Sequence, residues 1–232
     1  MPRAELASAL AAVGWFAPAA APVVAPVAAA FRIPLRLPAG GIAVTFDDGP
    51  HARGTPAVLA ALDLVGARAT FFLVGEQVER APSLAREIVD AGHEVGIHGY
   101  RHTLLLRRSP RAVRDDLERA QDVIASATGV APTAYRPPYG VFSGPALLTV
   151  RRLGWRPILW SRWGRDWEAT ATATSIADRA TRNLGKGDVV LLHDADHYGS
   201  GDSWVKTAAA LPVVLAAASA TGEPLVSVSH SR

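Results

Sequence analysis

Two adjacent aspartates, Asp47 and Asp48, end the apolar run "GIAVTF" and are followed at once by Gly49 and Pro50. Neighbouring carboxylates repel, so a fold gains nothing electrostatic from the pair. A turn with a capping role explains such a pair when it stands alone. Here it does not stand alone. In "HEVGIHGYRHT", His98 and His102 are four residues apart. On a helical turn that spacing puts both imidazoles on one face, where they can grip one metal ion. Two histidines and one carboxylate make a three-ligand site with open positions, which is a catalytic geometry and not a structural one. One aspartate would then bind the cation while the other stays free to take a proton from water. The residues alone do not say which aspartate does which.

Other polar residues fall at similar places. In "AYRPPYGVFSG" two prolines fix the backbone, so the Tyr139 N–H is held and can face a developing oxyanion. Arg136 in the same stretch can pair with a catalytic carboxylate. His193 ends "DVVLLH" and, titrating near neutrality, can serve as a general acid. Asp166 in "WGRDWEA" is placed to orient that histidine. Each has a plainer reading: a Pro-rich loop with a packed tyrosine, a core histidine, a surface acid. The polar loop "HDADHYGSGDSW" adds Asp196, His197 and Tyr198, either as substrate contacts or as solvated loop.

The elements that must position these residues are legible as alternation. Strand-like runs "GIAVTF", "ATFFLV", "HEVGIH", "TAYRPP", "PILWS", "DVVLLH" and "PLVSVS" alternate with amphipathic stretches such as "SPRAVRDDLERAQDVIASATG". In that stretch apolar residues recur at Val113, Leu117, Val123 and Ile124, a helical spacing. Alternation predicts parallel β-structure with right-handed crossovers, as a barrel or a wound sheet. In both, active sites collect where strands end and loops begin. Asp47, Asp48, His98, Arg136, Asp166 and His193 all fall there.

Composition narrows the classes. The 232 residues suit one domain, and 49% hydrophobic against 19% charged residues is enough for a substantial core. Lys plus Arg exceeds Asp plus Glu by 24 − 21 = 3. The arginines are scattered, so no basic stripe points to nucleic acid. With no cysteine, any metal sits on His, Asp or Glu. From Leu6 to Phe31 no residue is charged, and Pro18, Pro22 and Pro26 interrupt the stretch. Residues 1–39 therefore form a hydrophobic N-terminal extension, with the main domain at 40–232. The extension reads as a signal segment (Arg3 as a thin basic region, Leu6 to Phe16 as the apolar one), as a membrane-associated stretch, or as a helix packed on the domain.

Five motifs in order, "TFDDGP", "HGYRH", "RPPYG", "RDW" and "LLHD", resemble the polysaccharide deacetylases, the NodB-like carbohydrate esterases of family 4, over roughly residues 40–229. The resemblance implies an α/β fold, a distorted (β/α)7-type barrel with parallel strands. It implies a metal-dependent hydrolase that removes N-acetyl groups from an N-acetylglucosamine-containing glycan, releasing acetate. By motif position, Asp47 corresponds to the general base and Asp48, His98 and His102 to the metal ligands. Arg136 corresponds to the residue positioning Asp47, the Tyr139 N–H to the oxyanion donor, and His193 to the general acid tuned by Asp166. Pro138, Tyr139, Trp167 and Leu192 correspond to residues shaping the substrate pocket. One divalent metal is implied, Zn²⁺ best, with Co²⁺, Fe²⁺, Mn²⁺ or Ni²⁺ also fitting. The partner is an acetylated carbohydrate, the location the cell envelope or exterior ahead of a cytoplasmic or membrane-associated one, and residues 6–31 a candidate membrane contact. The chain departs from the family at Gly99, where Ser or Thr is usual, and at Ser161–Trp163, where an upstream Asp is usual. Rival readings are an O-acetyl carbohydrate esterase, a non-catalytic carbohydrate-binding protein of the same fold, and Mg²⁺-dependent phosphoryl transfer, which the two histidines and the lack of a Gly-rich phosphate loop make poor.

Overall fold

The computed structural model describes Glu5 and residues 12–229. Seven parallel strands form one sheet: β1 (Ala43–Asp47), β2 (Ala69–Leu73), β3 (Glu94–Ile97), β4 (Ala134–Tyr135), β5 (Arg156–Pro157), β6 (Arg162–Trp163) and β7 (Val189–His193). Their order is β5-β4-β3-β2-β1-β7-β6, and every pairing is parallel. The result is a distorted barrel whose seam lies between β5 and β6. The central strands are Val-, Phe- and Leu-rich because parallel strands covered on both faces have no solvent side. All five residues of β1 and all five of β2 are buried.

Helices fill the crossovers: α1 (Ala25–Ala30), α2 (Gly54–Asp63), α3 (Gly75–Arg80), α4 (Pro82–Asp90), α5 (Pro110–Thr128), α6 (Gly144–Arg152), α7 (Ala173–Thr181) and α8 (Ser203–Ala220). Local chemistry sets several ends. Ser109 Oγ accepts from the Ala112 N–H at the start of α5, Pro110 opens it, and Gly129 closes it with φ 73°. Thr172 and Ser175 cap α7 reciprocally. Helix α8 is long and apolar enough to cross a bilayer by length and composition. It packs instead on α2 and α7, and burial of Thr207, Leu211 and Leu215 makes it a core helix.

Two strand expectations need correction. "PILWS" is not one strand. Arg156–Pro157 and Arg162–Trp163 sit at opposite edges of the sheet, and the backbone between them crosses the seam. "PLVSVS" forms only an isolated bridge, Leu225 beside Ile42, because both neighbours of β1 are already taken by β2 and β7.

Of the N-terminal stretch, Arg3 and Leu6 to Ala11 lie outside the described residues. Residues 12–38 run along the barrel, burying Ala21, Ala28, Ile33 and Leu37. The Leu159 N–H donates to the Pro34 carbonyl at 2.9 Å, so this stretch also lines the seam. Phe46 and Phe71 stack at 5.0 Å in the centre of the core, both fully buried. Phe71→Ala should therefore lose about 3–5 kcal/mol. Urea unfolding followed by circular dichroism checks this, and a loss below about 1 kcal/mol would contradict the packing described.

Candidate active site

The C-terminal ends of the strands meet at a cavity of about 260 Å³, walled by Asp47, Asp48, His98, His102, Tyr139, Gly140, Trp160, Trp163, Trp167, Leu191, His193 and Tyr198. Consecutive residues of a strand point to opposite faces, yet both aspartates line this cavity. The reason is Asp48, whose backbone turns into the left-handed region (φ 79°) as β1 ends. Behind this turn Gly49 leaves room for Asp194, since a Cβ at 49 would lie 2.5 Å from its Oδ2. Asp194 is fully buried and accepts from the Thr55 hydroxyl. Burial raises its carboxyl to about 7, against the pull of that hydrogen bond.

His98 and His102 do converge, but not on a helical turn. Residues 98–104 are irregular, and Gly99 sits at φ 94°. A Ser or Thr there would be strained, which accounts for glycine at this position. The loop is tied down elsewhere. The Tyr100 N–H donates to Asp116 Oδ2 at 2.8 Å, and Gly75 and Glu76 donate to the carbonyls of Gly99 and Tyr100.

Asp48 Oδ1 lies 3.4 Å from His98 Nε2 and 3.3 Å from His102 Nε2. One ligand atom from each of the three lies within 4.8 Å of the others. His98 Nδ1 is 2.8 Å from the Arg136 carbonyl. A carbonyl only accepts, so Nδ1 carries a hydrogen toward it and Nε2 is the ring atom that faces Asp48. Burial lowers His102 to about 4, which keeps that ring neutral near pH 7. Burial alone would raise the Asp48 carboxyl, but the three surrounding imidazoles hold it well below the usual carboxylate range. Asp48 Oδ1 is buried with no hydrogen-bond partner among the described residues. Two imidazole Nε2 atoms close to an orphaned carboxylate oxygen fit a cation, and the N₂O donor set suits Zn²⁺ or a similar divalent ion.

Asp47 is held differently. Its Oδ1 accepts from Arg136 Nη1 at 2.7 Å. Arg136 is fully buried and spends its other donors on Thr45 Oγ1 at 2.8 Å, the Leu159 carbonyl at 3.0 Å and the Ile158 carbonyl at 3.4 Å. Thr45 is itself aimed by donating to the Val190 carbonyl. Across the cavity, Asp166 Oδ1 lies 2.8 Å from His193 Nδ1 while its Oδ2 accepts from the His193 N–H and the Thr207 hydroxyl, both at 2.7 Å. Burial opposes a charged His193, but the adjoining Asp166 carboxylate outweighs it and raises that imidazole well above its ordinary value. His193 Nε2 thus faces the carboxylates, 3.9 Å from Asp48 Oδ2.

Tyr139 has a left-handed backbone (φ 59°) between Pro138 and Gly140, and its ring meets His102 edge-on at 4.5 Å. Pro138 is buried and does not line the cavity. Trp167 does, edge-on to His193 at 5.3 Å. The expectation for Leu192 is corrected: strand alternation puts Leu191 on the face of His193 and turns Leu192 away. Leu192 is fully buried, on the side of Gly164. Of the polar loop, Tyr198 reaches the cavity. Its ring stacks on His102 at 4.2 Å and its hydroxyl is fixed by Glu76 and Gln77. Asp196 and His197 turn instead to His51 and the Pro50 carbonyl. Thr45, Thr207, Asp116 and Asp194 went unread in the sequence, since each supports the site through a partner distant in the chain. Trp160 and Trp163 had a signal, a tryptophan-rich run directly before "RDW".

Known proteins similar to this chain place it in a family. A family model described as polysaccharide deacetylase matches residues 36–158, which include Asp47, Asp48, His98, His102 and Arg136. A peptidoglycan-N-acetylglucosamine deacetylase of Bacillus cereus is 35% identical over 192 residues, 82% of this chain and 86% of the relative. A chitooligosaccharide deacetylase of Azorhizobium caulinodans is 35% identical over 188 residues, 78% and 89% of the two chains. Among solved structures, a family 4 carbohydrate esterase from Streptomyces lividans in complex with acetate superposes with a TM-score of 0.71 at 33% identity, covering 79% of this chain and 90% of that one. If the three donors hold one ion, His98→Ala should cut zinc content, read by atomic emission after dialysis, from about one per chain to near zero. Undiminished zinc in a folded His98→Ala protein would place the ion elsewhere.

Proposed function

The chain belongs to the polysaccharide deacetylase family, and from that premise we propose that it hydrolyses N-acetyl groups of an N-acetylglucosamine-containing glycan of the cell envelope. The products are acetate and a free amine. The observation that carries this reading is the orphaned Asp48 oxygen facing two imidazole nitrogens, with Asp47 and His193 flanking the same cavity. In this reading Asp48, His98 and His102 hold one divalent cation, Zn²⁺ by preference and Co²⁺, Fe²⁺, Mn²⁺ or Ni²⁺ in its place. The cation supplies the Lewis-acid charge that polarises the acetyl carbonyl and makes an attacking water more acidic.

The chain's own residues do the rest. Asp47, fixed by the Arg136 guanidinium on Oδ1, takes the water proton through Oδ2. The Tyr139 N–H donates to the oxyanion as the carbonyl carbon becomes tetrahedral. His193, protonated and oriented by Asp166, gives its Nε2 proton to the leaving nitrogen, without which an amine cannot depart. Trp160, Trp163, Trp167 and Leu191 form the apolar wall for the acetyl methyl and the sugar face. Residues 40–232 form the catalytic domain, with residues 1–39 as an extension in contact with the envelope. A second reading, O-acetyl ester hydrolysis at the same site, is supported by the likeness to the S. lividans carbohydrate esterase.

Acetate release from N-acetylglucosamine oligomers, beside an O-acetylated xylan, tests both readings. Chelator-treated protein should regain release only on adding Zn²⁺ or Co²⁺. Release from the ester alone would transfer the assignment to the esterase reading. Asp47→Asn should lower kcat by about 10²- to 10⁴-fold with zinc still bound, and near-unchanged turnover would remove Asp47 as the base. The His193 acid is present below its raised pKa and is lost as pH climbs through it. Asp166→Asn should therefore move the basic limb of the kcat profile down by about one to three pH units. An unmoved limb would detach Asp166 from His193.

A further inference from the structure

The face formed by residues 12–31 and α6 is apolar, cationic and free of acids. Phe16, Val23 and Leu148 are 55%, 74% and 53% exposed. Trp15 and Phe31 line a groove with Leu147 and Leu148. Neither residues 6–46 nor residues 123–165 contain a single Asp or Glu, although the chain has 21 of them. Within them, residues 14–31 and α6 pack on each other. Gly14 abuts Gly144, where a Cβ would lie 2.1 Å from the Gly14 carbonyl oxygen, and Arg151 donates to the Phe31 carbonyl. Gly14, Trp15 and Phe31 thus share one acid-free groove with Gly144, Leu147, Leu148 and Arg151.

Arginines border the apolar part. Arg32 and Arg152 make no ion pair among the described residues, and Arg151 donates only to backbone carbonyls. Next to them lies a recess of about 360 Å³, mainly apolar, whose charged wall is Arg32, Arg36, Arg151 and Arg156. Arg36 is neutralised by Asp188 and Arg156 lies near Glu94, which leaves three uncompensated guanidinium groups on this face.

We infer that this face docks on a bilayer surface bearing anionic phospholipid headgroups. The inference rests on the envelope placement proposed above and adds the face, the lipid charge and the residues. A large exposed apolar patch on a soluble fold marks an interaction site. A second copy of the chain is a poor occupant, because a two-fold contact would set the same arginines against one another. A bilayer with anionic headgroups offers both complements: acyl boundary for Phe16, Val23 and Leu148, and phosphate for the arginines. The face adjoins the catalytic cavity, since Pro22 packs over Gly140, where a Cβ would lie 3.2 Å from Pro22 Cγ. Docking sets the cavity mouth beside the lipid surface, within reach of acetylated sugar held there.

The test is co-sedimentation of the full chain with phosphatidylcholine vesicles and with phosphatidylcholine–phosphatidylglycerol vesicles. Binding should be strong only on the anionic vesicles. It should fall more than tenfold in Arg32→Gln/Arg152→Gln, since each basic residue near an anionic surface contributes roughly fivefold in affinity. It should also fall in Phe16→Ser/Val23→Ser/Leu148→Ser. Acetate release from a soluble oligomer should stay unchanged in both variants, which separates failure of docking from failure of the proposed chemistry. Equal binding to both vesicle types, no binding by the unmodified chain, or variants that bind like it would overturn the inference. So would a dimer in solution that Phe16→Ser dissolves.

Discussion

A buried guanidinium organises this molecule. Arg136 is fully buried, and removing such a charge from water costs several kcal/mol unless its donors are met. Here Asp47, Thr45 and the carbonyls of Ile158 and Leu159 meet them, and the ring of Phe72 lies 4.2 Å beneath. Two of those acceptors belong to the backbone that crosses the open seam between β5 and β6. A side chain thus satisfies carbonyls that a closed barrel would satisfy with ladder hydrogen bonds. The same residue's own carbonyl receives the His98 Nδ1 hydrogen. One position therefore fixes Asp47, the orientation of the His98 ring and the seam.

The rest of the site follows from parallel topology. β1 lies between β2 and β7, and Asp47 is in register with Phe72 on one side and His193 on the other. The strand carrying Asp47 is thereby flanked by the strand that ends in His193. The left-handed turn at Asp48 then divides two adjacent acids between two environments, one against a guanidinium and one against three imidazoles. That division answers the electrostatic objection to the pair, because neither carboxylate faces the other uncompensated.

Much of this was legible in the sequence, for a physical reason. In parallel α/β folds the polar residue that ends an apolar run is at a strand's C-terminal edge, so Asp47, Asp48, His98, Arg136 and His193 announce one locus before any coordinates exist. The less legible parts depend on backbone or tertiary facts. The His98–His102 spacing fits a helix, yet Gly99 at positive φ makes a loop that converges equally well. Leu191 and Leu192 are chemically alike, and only strand register says which faces the cavity. "PILWS" has strand composition throughout, but its carbonyls serve Arg136 and Pro34 packs on it, so it pairs only at its flanks. Thr207, Asp116 and Tyr198 matter through partners that no local pattern marks.

The central claim is that the two aspartates are divided, Asp48 to the cation and Asp47 to Arg136. Anomalous diffraction from crystals soaked in Zn²⁺ tests it directly. The account predicts a single peak about 2.0–2.2 Å from one Asp48 oxygen and from Nε2 of both histidines, with Asp47 outside the coordination sphere and still paired to Arg136. A cation bridged by both carboxylates, or one that leaves His98 and His102 unligated, would contradict it.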